Sequence, residues 1–253
     1  MSPLEENRLP EKETFHGEQA FTSALYSVVL GNRPVVMFLQ GHGERSPEDF
    51  DEKAGYSRIA EILRQDNMEL QTLRLEDEQE IPAHCDALVI AGPTRRFFQP
   101  ELDVLQRYLE NNGRLLVLVD SYQRTGLQPF LREWGVHLGR DLVVDPRRTR
   151  TGREINLVDY GRHDITDPLM GLSCWLFLPR SVSPLLPGGG EAADRPRVSV
   201  LASTSKAGWA ESDLETWPPS YDAETDRLGP IPVAVAVESG IVRELDMELR
   251  PSR

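Results

Sequence analysis

Three short apolar runs, each closed by a turn of glycine or polar residues and separated by amphipathic segments, occupy residues 35–144 and leave few folds open to this chain. They are Val35-Val36-Met37-Phe38-Leu39 before Gln40-Gly41-His42-Gly43-Glu44, Ala87-Leu88-Val89-Ile90 before Ala91-Gly92-Pro93-Thr94, and Leu115-Leu116-Val117-Leu118-Val119 before Asp120-Ser121. Strands that alternate with helices pair in parallel, because each helix carries the chain back across the sheet. Between the runs, Tyr56, Ile59, Ala60 and Leu63 recur at helical spacing, and 70–75 reads as a further strand. Pro100 opens another helix with the stripe Leu102, Leu105 and Leu109, which Gly113 stops. Leu127, Phe130, Leu131 and Trp134 mark a third, closed by Gly135, and Leu142-Val143-Val144 follows as a fifth strand ending at Asp145-Pro146. Upstream, Phe21, Ala24, Leu25 and Val28 predict a helix over 17–30 that packs on the sheet, broken by Asn32-Arg33-Pro34. Right-handed crossovers among these strands predict a doubly wound, mostly parallel α/β sheet of flavodoxin-like order.

The 253 residues suffice for one large domain. Residues 1–14 read as a disordered lead-in and 15–253 as a single α/β domain, with a parallel core over 15–150 and a sheet extension or small lobe over 151–253. In that second part Ile155-Asn156-Leu157-Val158, Cys174-Trp175-Leu176-Phe177-Leu178, Val198-Ser199-Val200-Leu201 and Val233-Ala234-Val235-Ala236-Val237 read as strands. Pro- and Gly-rich loops are expected at 183–196 and 217–230. Forty-one acidic against 28 basic residues give a net charge of -13, which argues against nucleic acid or an anionic lipid surface as the main partner. The cluster Arg147-Arg148-Thr149-Arg150 is a local basic patch, read as a solvated loop after a strand. No stretch reaches the ~18 consecutive apolar residues of a membrane span.

Ligands of open α/β sheets gather at the carboxyl ends of the strands. There, Gly41-His42-Gly43-Glu44 is the richest candidate: His42 and Glu44 can serve as acid, base or metal ligand, or can instead close a tight turn. No third ligand or nucleophile accompanies them, and the loop lacks the glycines of a dinucleotide fingerprint and the Gly-Lys-Ser/Thr of a P-loop. At the turn where a nucleophile elbow would lie stands Gly92-Pro93-Thr94-Arg95. Thr94 reads as a cap or turn residue, since its one evident base would be His42 across the rim. Asp120 could bind a hydroxyl or a metal, or organise its own turn. The expected ligand-binding rim is therefore His42, Glu44, Thr94 and Asp120, with no catalytic residue, metal or cofactor assigned. Cys85 precedes its strand, Cys174 is expected to pack in a core, and His163-Asp164-Ile165-Thr166-Asp167-Pro168 reads as a helix entry.

In order along the chain, Phe15-His16-Gly17-Glu18-Gln19-Ala20-Phe21, Phe38-Leu39-Gln40-Gly41-His42-Gly43-Glu44, Asp86-Ala87-Leu88-Val89-Ile90-Ala91-Gly92-Pro93, Gly113-Arg114-Leu115-Leu116-Val117-Leu118-Val119-Asp120, Trp134-Gly135-Val136 and Pro230-Ile231-Pro232-Val233-Ala234 form a shared pattern. With it the chain resembles the GldG-like auxiliary components of uncharacterised ABC-type transport systems, a gliding-motility-associated family. The resemblance implies a class I glutamine amidotransferase-like fold without the catalytic cysteine. It also implies an extracytoplasmic, periplasmic domain of a longer membrane-anchored protein that works with an ABC permease and ATPase.

Overall fold

The computed structural model describes residues 33–52, 55–76, 79–185 and 196–239. Four strands form a parallel sheet: β1 (Val35–Leu39), β2 (Glu69–Leu73), β3 (Ala87–Ala91) and β4 (Leu115–Leu118), in the order β2-β1-β3-β4. Val36 lies opposite Leu70 on one side and Ala87 on the other, so β1 is central and all five of its residues are buried. Helix α1 (Ser57–Gln65) joins β1 to β2, α2 (Gln99–Glu110) joins β3 to β4, and α3 (Gln128–Glu133) follows β4. These are the three helices that the spacing predicts within the described residues, whereas the helix expected over 17–30 lies outside them.

Alternation along the strands divides the core between the two faces of the sheet. Val35, Met37, Leu39, Leu88 and Ile90 pack against Leu102 and Leu105 of α2 and Phe130 of α3. Val36, Phe38, Val89 and Ala91 face the other way, toward Tyr56 and Leu63. Pro100 stands in the first turn of α2, as expected. Gly113 follows the helix end, where the positive φ (63°) belongs to Asn112. A Cβ on Gly113 would lie 2.5 Å from the Tyr108 carbonyl, so close approach is what demands glycine here.

The remaining strands are β5 (Val136–Leu138), β6 (Leu142–Val144), β7 (Glu154–Leu157), β8 (Asp159–Tyr160), β9 (Cys174–Phe177), β10 (Val182–Pro184), β11 (Arg197–Ser203), β12 (Trp209–Glu211), β13 (Arg227–Leu228) and β14 (Pro232–Glu238). They pair antiparallel among themselves, in the orders β10-β5, β14-β11-β8, β13-β12-β6 and β7-β9. This corrects the reading of Leu142–Val144 as a fifth parallel strand. It runs antiparallel to β12, with Leu142 and Val144 packed on Trp209 and Val143 turned into a cluster with Ile155 and Ala202. A three-residue apolar run buried on both sides looks alike in either direction, so periodicity could not orient it. The segments expected as loops also contain strand residues, the last two of β10 at the start of 183–196 and β13 within 217–230. The expected helix entry at 163–168 is a single turn of 3-10 helix, Asp167–Leu169.

Cys174 is exposed rather than packed, whereas Cys85 is buried with its Sγ 3.7 Å from the Tyr108 hydroxyl. Burial pushes the Cys85 thiol up from its ordinary range. Iodoacetamide at neutral pH should therefore alkylate Cys174 first and reach Cys85 only on unfolding. Equal rates, read by peptide mass spectrometry, would contradict this packing.

Candidate functional site

The carboxyl ends of β1 and β3 are joined at the His42 peptide group and at Arg45, whose N–H reaches the Ala91 carbonyl at 2.8 Å. The His42 carbonyl accepts the N–H groups of Thr94 and Arg95, both at 2.8 Å, and the Thr94 hydroxyl at 3.3 Å. Gly41 (φ 131°) and Gly43 (φ 77°) give the loop the backbone conformations that turn this carbonyl toward Thr94. A Cβ on Gly43 would sit 2.1 Å from Thr94 Oγ1. Gly43→Ala should then lose about 2 kcal/mol in urea denaturation, from the left-handed backbone and from displacement of the Thr94 hydroxyl. Adding Thr94→Ala should recover the steric part alone; a double variant no more stable than Gly43→Ala would rule that clash out.

The His42 side chain points into the protein. Its ring stacks on Phe97, with centroids 3.9 Å apart and planes 15° from parallel. Nε2 lies 2.9 Å from Glu101 Oε1, and Nδ1 lies 3.3 Å from Glu44 Oε1. The second contact is close but misaligned, and neither atom has another hydrogen-bond partner among the described residues. The outer oxygens of both carboxylates serve the main chain: Glu44 Oε2 accepts the His42 N–H at 2.7 Å, and Glu101 Oε2 accepts the Phe98 N–H at 2.8 Å at the start of α2. His42, Glu44 and Glu101 are only 4%, 8% and 9% exposed. Each ring nitrogen thus faces a carboxylate, and each carboxylate is anchored by a peptide N–H.

Of the expected rim residues, the structure brings His42, Glu44 and Thr94 together, with the Thr94 hydroxyl on main chain and away from the imidazole. Asp120 joins the rim by another route. Its half-exposed carboxylate stands 3.8 Å from Arg45, and its carbonyl accepts a hydrogen bond from buried Arg180 at 3.3 Å. Arg180 also donates from Nη1 to the Gln123 carbonyl and from Nε to that of Gly139, tying the loop after β4 to the antiparallel half. Its burial lowers the guanidinium pKa from its ordinary value. Among the described residues, no group of three or more His, Cys, Asp or Glu side chains is placed to hold a metal.

Glu101, Phe97 and Arg180 were missing from the sequence reading. Glu101 carried a signal, an acidic residue just past the helix-opening proline, in the position that reaches back to the helix's first N–H. Phe97 and Arg180 carried none. Beside the cluster lies an open depression of about 600 Å³, lined in part by His42, Glu76, Arg95, Arg96, Phe98 and Glu101. It combines two guanidiniums, two carboxylates and an exposed aromatic ring at the strand ends, where α/β sheets bind ligands.

The sequence family described as ABC-type uncharacterized transport system matches residues 33–242. The chain is also similar to the Intraflagellar transport protein 52 homolog of Mus musculus, 31% identical over 101 residues, which are 38% of this chain and 24% of that protein. The Homo sapiens protein of the same name is 29% identical over 101 residues, 38% of this chain and 23% of that one. The chain thus spans about a quarter of the length of the curated relatives it matches. A solved structure named "mmIFT52 N-terminal domain" is similar at a TM-score of 0.49 and 18% identity, over 70% of this chain and 78% of that one.

Proposed function

Because this chain belongs to the family of ABC-type uncharacterized transport system proteins, we propose that it is a non-enzymatic accessory domain which binds a protein or ligand at the strand-end rim. Its family points to an auxiliary component of such a system. The proposal's finer terms are a GldG-like, gliding-motility-associated role, a periplasmic location in a longer membrane-anchored protein, and action with the system's permease and ATPase. Among the described residues no helix is long and apolar enough to cross a membrane.

The observation that carries the reading is the inward-turned imidazole of His42 and the main-chain bond of the Thr94 hydroxyl. Both ring nitrogens of His42 face carboxylates, and the Thr94 hydroxyl is held by a carbonyl, so these groups maintain shape. Arg95, Arg96 and Glu76 around the depression are left to recognise a partner. A degenerate amidotransferase-like hydrolase would require the Thr94 hydroxyl to leave the His42 carbonyl and meet a base.

A photocrosslinking residue placed at Arg95 of the full-length protein, in its native membrane, tests the proposal. Adducts to the permease or ATPase are the expected result. Adducts to neither, with the protein present and folded, would defeat it. The depression also favours a second reading as a carbohydrate or small-molecule sensor, which predicts a saturable, ligand-dependent rise in Tm that Arg95→Ala abolishes.

A further inference from the structure

Among the described residues, the two-stranded β7-β9 sheet is open along one edge. Leu178 donates its N–H to the Arg153 carbonyl at 2.7 Å, and Ile155 and Leu176 lie opposite each other. In an antiparallel ladder the hydrogen-bonded pairs alternate, so Cys174, Leu176 and Leu178 turn their peptide groups toward β7 while Trp175 and Phe177 turn theirs away. Among the described residues, no main-chain hydrogen bond meets Trp175 or Phe177. The opposite edge is occupied, since the Asn156 N–H reaches the Arg148 carbonyl at 2.8 Å.

The side chains on this hairpin divide the same way. Ile155, Leu157 and Leu176 face the core, while Trp175 and Phe177 stand outside at 44% and 64% exposure. Arg150 lies over the Trp175 ring and Arg153 over the ring of Trp217, itself 44% exposed, each at 5.1 Å. Large aromatic and arginine side chains are those that dominate binding energy at protein interfaces. An uncovered apolar edge strand is also a template for another strand.

We propose that β9 docks an extended, acidic segment of a partner protein by strand addition, its main chain pairing with Trp175 and Phe177 and its carboxylates meeting Arg150 and Arg153. Charge complementarity selects this occupant. Arg150 and Arg153, both exposed, set positive charge beside β9 in a chain of net charge -13. Glu154 lies opposite Phe177 but is occupied within its own loop, accepting the Thr151 hydroxyl and the N–H groups of Arg150 and Thr151. Those bonds, the hydroxyl's first, hold its carboxyl at about 2. A lipid surface offers no main-chain partner to the open peptide groups, and a second acidic copy would be repelled overall. This surface is separate from the strand-end rim and does not depend on the role proposed for it.

The test uses the full chain and a fluorescent ten-residue peptide of alternating valine and glutamate. It is compared with a lysine-for-glutamate peptide and with one N-methylated at alternate residues. The acidic peptide should bind saturably by anisotropy, and at least tenfold more weakly when N-methylated, when lysine replaces glutamate, or with the Arg150→Glu/Arg153→Glu variant. The N-methylated arm alters no residue of the protein, so misfolding of the variant does not decide the result. Absence of saturable binding, equal binding of both charges, or indifference to N-methylation would overturn the proposal. So would concentration-dependent dimers, or adsorption to phosphatidylglycerol vesicles, that Phe177→Lys abolishes, since these assign the edge to a second copy or to a membrane.

Discussion

Replacing His42 with alanine is expected to destabilise the protein by about 3–5 kcal/mol, the range for removing one partner from a buried charged cluster. Two losses combine. The ring leaves its stack on Phe97, and the inner oxygens of Glu44 and Glu101 lose the nitrogens they face. The Glu44 side chain is fully buried and that of Glu101 only 11% exposed, so water cannot readily replace the imidazole. Glu101→Gln should cost less, about 1–2 kcal/mol, because its side-chain oxygen can still accept the Phe98 N–H at the helix start. Urea denaturation of both variants and their combination checks this. If His42→Ala lost less than Glu101→Gln, the imidazole would not be the centre of the cluster.

The second large effect is expected at Arg180, where methionine preserves much of the volume and removes the donors. Arg180 is 3% exposed, and its guanidinium serves the carbonyls of Gly139, Asp120 and Gln123, two of its bonds going to Gly139. Replacing a whole buried ionic network by apolar groups can be neutral, but peptide carbonyls cannot be replaced. The Gly139 carbonyl loses both donors at once, while those of Asp120 and Gln123 are nearer to water. The net loss should be about 3 kcal/mol, at the upper end for a stranded buried acceptor. Amide exchange should also quicken across 120–125, because Arg180 is what holds this loop to the other half of the chain. Unchanged exchange there, with global stability lowered, would mean that Arg180 fills space without fixing the loop.

Much of the parallel sheet was legible because its strands announce themselves. Val35–Leu39 and Ala87–Ala91 are buried on both faces and so read as unbroken apolar runs, bounded by Pro34 and by the Gly41 and Gly92 turns. Pro100, the stripe Leu102, Leu105 and Leu109, and the turn at Gly113 located α2 to within a residue or so. The rim was legible in part for the same reason, since His42, Glu44, Thr94 and Asp120 follow directly from strand ends. What they touch was not, because Glu101 enters from a helix and Arg180 from the antiparallel half, and contacts between distant residues leave no local period.

Local order in the chain therefore determined the elements of the parallel half, since helical and strand periodicities are properties of neighbours. Tertiary structure alone decided that Leu142–Val144 runs antiparallel, that His42 is clasped by two carboxylates, and that Trp175 and Phe177 stand uncovered. Each of these depends on what lies across a strand or beneath a ring. Partners so far apart in sequence are chosen by the packing of the whole chain.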